Sequence, residues 1–422
     1  MAEFTPILLT LPSLAPTLAV EIVPYGLTVR RLFVQADGKT HDVIVGPEDA
    51  QHHVTTKYTN PVIGRYANRL PVGTHAIERN GIKGQFTALA NETPLVSLHG
   101  GPVGFDSVPW TVVKPAEVQL FSKAEIRTIS GISSDQATSH AVFRLISPDG
   151  DQGFSGRLLV EVLAALTAPA ASSGPVLDMG SLVFIYRAKL VDTPSKAITP
   201  LNMTQHWGFN LEASLSDGLS IKDHVLTLQA DKIAVLDANN LRTGYRSTSG
   251  DSVHSHKGKR IGDNFPASGY DHYYMFSGPR AHAQTRLSEA FLKSEANLVK
   301  PVLNGETGGA RPGATAETPD AILSSGKSGI TLKFTTNQEG VMFYSNNFAS
   351  PASGSRKKIH GGSGVKDAGD AYGPGSAVFL EFHQPLAACL DPARKDGEDT
   401  LLTTGEVYNN WVRCNVRYTT PL

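Results

Sequence analysis

Residues 181–192, SLVFIYRAKLVD, and the stretch after them at 199–211, TPLNMTQHWGFNL, decide how this chain is read. The first has the β-branched and apolar content of a buried strand, and Pro200 stops it, because proline cannot donate to a sheet ladder. His206 therefore stands just past a strand end, next to the aromatic pair Trp207 and Phe209. An imidazole titrates near pH ~6.5, so either protonation state is within reach at neutral pH. A core histidine satisfied by a backbone partner fits the stretch equally well. The residues His206 meets from elsewhere in the chain separate the two readings.

Outward from this stretch the pattern stays β. Residues 20–46 alternate apolar and polar positions from Leu27 through Val29 to Phe33, turn at Asp37-Gly38 and resume as DVIVG, which predicts a meander. Asn80-Gly81 is a two-residue hairpin signal between two strands. Strand-like runs continue as AVFRLIS, RLLVEVLAALT, the two runs of SIKDHVLTLQADKIAVLDANNLRTGY, GYDHYYMF, ITLKFTTNQEGVMFYSNNF and VYNNWVRCNVRY. Against them stands one amphipathic helix candidate, residues 287–299. The 40 glycines and 26 prolines supply the turns that many short strands need. The absence of a fixed repeat argues against a propeller or solenoid. The expectation is an all-β chain, residues 1–422 forming one domain, with polar surface insertions at about 277–329 and 349–373.

Composition bounds the partners. With 40% hydrophobic and 18% charged residues and a formal charge of −1, nothing favours nucleic acid or an anionic membrane as a partner. Cys389 and Cys414 are too few for a disulfide framework in 422 residues, so a reducing compartment is the simpler expectation. The apolar pieces of the N-terminus lack a basic leader and are broken by Pro6, Pro12 and Pro16. That predicts neither a secretory signal nor a membrane span, hence a cytoplasmic protein, monomeric or dimeric. His254 and His256 lie in a polar stretch without a third ligand in view, which predicts a solvated loop rather than a metal site.

Several polar groups stand where a fold alone does not need them. Residues 64–70 put two arginines and an asparagine together at a strand edge, and His99 is followed by paired glycines that allow close backbone approach to a ligand. A second His-Gly-Gly, at 360–362, lies in a Ser/Gly/Lys-rich loop and has no assigned role. Asp271, at the mouth of an aromatic-rich strand, is either a turn residue or a ligand for hydroxyl groups. Glu381 stands inside the apolar run 377–382, where a carboxylate is costly to bury without a partner, so one face of that strand is polar or functional.

GRYANRL, LHGGPVGFDSVPW, DQGFSG, TPLNMTQHWGFNL, IKDHVLTLQADKIAVLDANNLRTG, GYDHYYMF, TTNQEGVMFYSNNF, LEFHQP and GEVYNNWVRCNVRY follow one another over about residues 20–420. In that order they resemble the aldose 1-epimerases, the galactose mutarotases. The resemblance implies a single large β-sandwich, the galactose mutarotase-like supersandwich, with a sugar cleft on its concave sheet. It implies His206 as general acid and Glu381 as general base. Asn68, Arg69, His99, Asp271 and Gln338 become the sugar-binding residues, and no metal or organic cofactor is needed. The activity implied is interconversion of the α and β anomers of a free hexose such as glucose or galactose. Arg69 steadies negative charge, and Glu381 is expected ionised beside a protonated His206.

Two departures stand out. The family's LETQ followed by PDA is LEFHQPLAACLDP here, and the Ser/Thr-Tyr after its histidine is Trp207-Gly208. Trp207 is as good a packing residue as a sugar platform. Two other functions fit the same motifs: a hexose-6-phosphate 1-epimerase, which requires a cationic cluster for the phosphate, and a sugar-binding protein without turnover, which requires no matched acid and base.

Overall fold

The computed structural model describes residues 2–131, 138–170, 174–192, 196–215, 219–278, 284–306, 318–394 and 398–421. Strands Leu158–Thr167, Val176–Leu190 and Glu406–Thr419 are buried along most of their length, as strands covered on both faces must be. They lie side by side in a ten-stranded sheet. From one edge to the other its order is Thr111–Val113, His140–Ser147, the three long strands, Ile330–Thr336, Ala321–Ser324, Val225–Leu228 and Lys257–Arg260, with Arg286–Ser288 paired to the side of Glu406–Thr419. All of these pairings are antiparallel.

A second sheet of six strands runs Trp207–Phe209, Val378–His383, Gly340–Tyr344, Asp271–Phe276, Ala230–Leu236 and Arg242–Ser247. The two sheets meet through aromatic rings. Trp207 packs edge-on against Phe184 at 5.7 Å, and Phe334 touches both Phe209 at 5.5 Å and Phe382 at 5.2 Å. Trp207 is thus a core residue, 1% exposed. The N-terminal meander Ile7–Thr10, Leu18–Val23, Thr28–Ala36 and Lys39–Asp42 adds Leu18, Val20, Leu32 and Val34 to the same apolar cluster. The result is the expected all-β sandwich.

Side chains alternate along a strand, so Leu380 and Phe382, turned into the core, force Phe379, Glu381 and His383 to the opposite face. Gly208 pairs with Phe379, and a Cβ there would lie 2.6 Å from the Phe379 ring. The Trp207-Gly208 departure is therefore one packing unit with Phe379: the ring fills the space a side chain at 208 would take.

The stretch 277–329 is less peripheral than its composition suggests. The helix placed at 287–299 is instead strand Arg286–Ser288, a 3-10 turn Glu289–Lys293 and, further on, a short helix Val299–Asn304. That helix buries Val299, Val302 and Leu303 against Leu163, Val183, Ile185 and Trp411 on the outer face of the large sheet. Ala321–Ser324 is a strand of that sheet. Parts of the stretch, 279–283 and 307–317, lie outside the described residues. A second helix, Lys123–Gly131, was not legible in the sequence; it brings buried Glu125 to Arg187 at 3.1 Å.

The stretch 349–373 lies mostly at the surface but is anchored inward at a few residues. Lys357 is fully buried and pairs with Asp42 at 2.8 Å, and His360 hydrogen-bonds the Asp42 carbonyl at 2.8 Å and the Tyr372 hydroxyl at 2.6 Å. His254 and His256 are buried too, both on the Tyr274 hydroxyl at 2.8 and 3.2 Å, rather than in a solvated loop. Cys389 and Cys414 are unpaired and buried. Among the described residues no helix is long and apolar enough to cross a membrane.

Candidate functional site

The outer face of the six-stranded sheet forms the floor of a cleft of about 580 Å³. The ladder that pairs Trp207 with Leu380 and Gly208 with Phe379 brings His206, one residue earlier, opposite Glu381. His206 Nε2 lies 3.2 Å from Glu381 Oε1, and the two residues are 6% and 2% exposed. The second carboxylate oxygen, Oε2, is buried and has no hydrogen-bond partner among the described residues, so it is available to a ligand in the cleft.

Arg69 opens strand Arg69–Pro71 with Asn68 just before it, and His99 directly follows its partner strand Val96–Leu98. Asn68 and His99 both have positive φ, 65° and 52°, and this bend lets them interlock. His99 N–H donates to the Asn68 carbonyl at 3.1 Å, and Asn68 N–H donates back to His99 Nδ1 at 3.2 Å. Because Nδ1 accepts, the neutral ring carries its proton on Nε2 and is a hydrogen-bond donor. Asp271 comes from the third strand of the floor that lines the cleft, paired with Tyr344.

Of the expected site residues, the structure gathers His206, Glu381, Asn68, Arg69, His99 and Asp271 around one cleft. Gln338 is not among the lining residues. It sits in the hairpin turn, fully buried, with its N–H donating to Thr336 Oγ1 at 3.1 Å and its Nε2 to Asn337 Oδ1 at 2.7 Å. The cause is Asn337, whose amide bridges the Asn409 carbonyl and the Trp411 N–H at 3.0 Å each and draws the turn toward the large sheet. Met342 pairs with Glu381 and occupies that part of the cleft instead.

Two cleft residues carried no signal in the sequence. Glu92 takes two hydrogen bonds from Arg69, from Nε at 2.7 Å and Nη2 at 2.8 Å. Tyr58 stands with its ring 4.7 Å from His99 and 6.4 Å from His206. Both come from loops whose local pattern reads as turn.

Burial decides the charge state of the pair. It draws the His206 pKa down to about 4. Burial also raises Glu381 to about 8, with Asp271 pushing the same way and Arg69 opposing. Burial thus pushes both members toward their neutral forms, an imidazole beside a carboxylic acid, where the sequence reading expects an ion pair. The pair carries one proton, which makes one member a donor and the other an acceptor.

His99, His206 and Glu381 also bring three ligand-type atoms within 4.8 Å of one another. The donor set fits a metal poorly. A histidine that binds metal through Nε2 donates its Nδ1–H to a neighbour, whereas His99 Nδ1 faces the Asn68 N–H and can only accept.

The family model described as aldose 1-epimerase matches residues 14–415. Galactose mutarotase of Bos taurus is 30% identical over 270 residues, and the match spans 62% of this chain and 66% of that protein. Galactose mutarotase of Rattus norvegicus is 27% identical over 408 residues, 94% of this chain and 92% of that protein. The solved structure of a GalM/aldose epimerase homologue from C. elegans superposes with a TM-score of 0.67 at 18% identity, over 99% of this chain and 100% of that one, so the two share a fold. Since the family match runs through nearly all of the sequence and the sandwich is that of a known homologue, the chain belongs to the aldose 1-epimerase family and is an epimerase, an isomerase.

Proposed function

We propose that this protein interconverts the α and β anomers of a free hexose such as glucose or galactose, with His206 and Glu381 as its acid–base pair. The observation that carries this is the 3.2 Å approach of His206 Nε2 to Glu381 Oε1 on the cleft floor, two groups of opposite pKa shift holding one proton. The deprotonated member removes the proton of the C1 hydroxyl while the protonated member gives its proton to the ring oxygen. The C1–O bond of the ring breaks and an aldehyde forms. Rotation about C1–C2 and closure with the proton transfers reversed yield the other anomer. The roles suggested by the motifs, Glu381 as base and His206 as acid, follow from the neutral pair by one proton transfer across the 3.2 Å contact. Each positioned acid or base contributes roughly 10²- to 10⁴-fold.

Asn68, Arg69, His99 and Asp271 offer donors and acceptors to hydroxyls, and His99 does so as an Nε2–H donor. Phe379, Met342 and Tyr58 give the cleft apolar surface for the C–H face of a pyranose. A phosphorylated sugar is disfavoured. The cleft holds Glu92, Asp271, Asp367 and Glu381; of its cations, Arg69 is clamped by Glu92, Lys366 pairs with Asp367 at 3.1 Å and Lys57 donates to the Pro102 carbonyl at 2.9 Å. A sugar binder without turnover has no use for the matched pair. One apolar cluster runs from Leu9 to Tyr418, which supports one domain, and the two unpaired cysteines support a reducing, cytoplasmic setting.

Polarimetry of freshly dissolved α-D-glucose or α-D-galactose tests the activity. The protein is expected to speed the approach to anomeric equilibrium and the His206→Ala variant, folded by circular dichroism, to lose that effect. Sugar binding without any acceleration by the unmodified protein would favour the binder and end the proposal.

A further inference from the structure

Glu92 has no part in the proton transfers, yet it is built into the cleft. Its carboxylate meets the Arg69 guanidinium fork to fork, at 2.7 and 2.8 Å, the arrangement in which such pairs are strongest. The same Nη2 of Arg69 lies 3.5 Å from Asp271 Oδ2. Arg69, with a side chain 8% exposed, is thus suspended between two carboxylates in the cavity that holds a third, Glu381.

The groups that face Glu381 come from every element around it. His383 shares its strand, and His206 lies across the ladder. His99 comes from the loop after Val96–Leu98, Asp271 and Tyr344 from the neighbouring strands, and Arg69 from the adjoining ladder. Of these, Arg69 alone is a permanent cation; the more exposed Lys57 and Lys366 are engaged elsewhere. How far Arg69 acts on Glu381 depends on how fully its charge is already balanced.

We propose that Glu92 is a positioning residue: by holding the Arg69 guanidinium against itself and Asp271, it keeps Arg69 from pairing with Glu381, so that the His206–Glu381 pair retains its proton at neutral pH. The inference rests on the acid–base reading of that pair. The electrostatics run the same way: the Asp271 carboxylate raises the Glu381 pKa and the Arg69 guanidinium lowers it. A cation that gains full access to a carboxylate lowers its pKa by about 1–3 units.

The test is the pH profile of kcat/KM for mutarotation, read by polarimetry. Glu92→Gln keeps the size of the side chain but removes its charge and half its acceptors. Glu92→Ser removes the same charge and serves if the amide is not tolerated, and Glu92→Asp restores the charge. The alkaline limb of Glu92→Gln is expected to move down by about one pH unit, at the low end of the range for a newly available cation. The acid limb is expected to stay, and Glu92→Asp to return toward the unmodified profile. An alkaline limb that does not move, or a rise in KM at every pH without a shift, overturns the proposal and makes Glu92 a structural residue or a direct sugar ligand. Absence of any alkaline limb in the unmodified protein would instead sink the acid–base reading itself, a result visible before any Glu92 variant is made.

Discussion

Replacing Lys357 by methionine tests whether residues 349–373 are a built wall of the cleft and not a loose insertion. Lys357 Nζ is buried and gives its three protons to Asp42 Oδ2 at 2.8 Å, the Ile44 carbonyl at 2.6 Å and the Arg30 carbonyl at 2.5 Å. It thereby ties the segment to the N-terminal meander. Methionine preserves the stem but leaves the Asp42 carboxylate, wholly buried, with the Leu32 and Ile44 N–H groups at 3.2 Å and Arg31 Nη1 at 3.7 Å. Breaking one side of a buried ion pair costs about 3–5 kcal/mol, mostly from the charge left behind. At the ~2 °C per kcal/mol suited to a large chain, the melting temperature should fall by about 6–10 °C.

The double variant Lys357→Met with Asp42→Asn removes the stranded charge and should recover most of that loss, because the pair itself is close to neutral in net stability. Thermal melts followed by circular dichroism measure the stability. Polarimetry at a temperature where all variants are folded measures the cleft, and KM should rise while kcat is largely kept. Tyr372, tied to His360, and Ser355 line the cleft, whereas His206 and Glu381 are held by a different ladder. A single variant that loses less than about 1 kcal/mol, the scale of an exposed pair, or a double variant no better than the single, refutes this account of the segment.

Two further predictions follow from the site. The kcat/KM profile of the unmodified protein should be a bell with limbs near the two shifted values, about 4 and about 8. Below the first, His206 takes a second proton and the pair has no base; above the second, Glu381 loses the last proton and the pair has no acid. A profile that falls between pH 5 and 7 contradicts the shared proton. Gly208→Ala puts a methyl group 2.6 Å from the Phe379 ring and should cost about 1–3 kcal/mol in urea unfolding, the usual price of overpacking. It should lower activity as well, since the displaced ring is 5.1 Å from His206, and a neutral result in both assays removes Phe379 as the reason for glycine at 208.

What could be read before the structure was local. Asn80-Gly81 does join Gly73–Arg79 to Ile82–Ala88, with φ of 53° and 70° at the two turn residues. Glu381 in an apolar run did mark the polar face of its strand, because alternation is a property of a few neighbouring residues. The motifs pointed to His206, Glu381 and four more of the residues that line the cleft. Gln338 went astray because its position depends on Asn337 bonding a strand some 70 residues further on, and the helix expected at 287–299 because a short apolar spacing cannot tell a helix from a strand edge.

By itself, then, the sequence determined the strands, their turns, the family and the chemical types gathered at the cleft. Tertiary structure alone decided that Met342 and not Gln338 lines the cleft, that Lys357 holds Asp42 and Glu92 holds Arg69, and that burial pushes His206 and Glu381 toward their neutral forms. Those outcomes depend on which distant side chains displace water from a given group, and desolvation is a sum over neighbours in space that no local pattern contains.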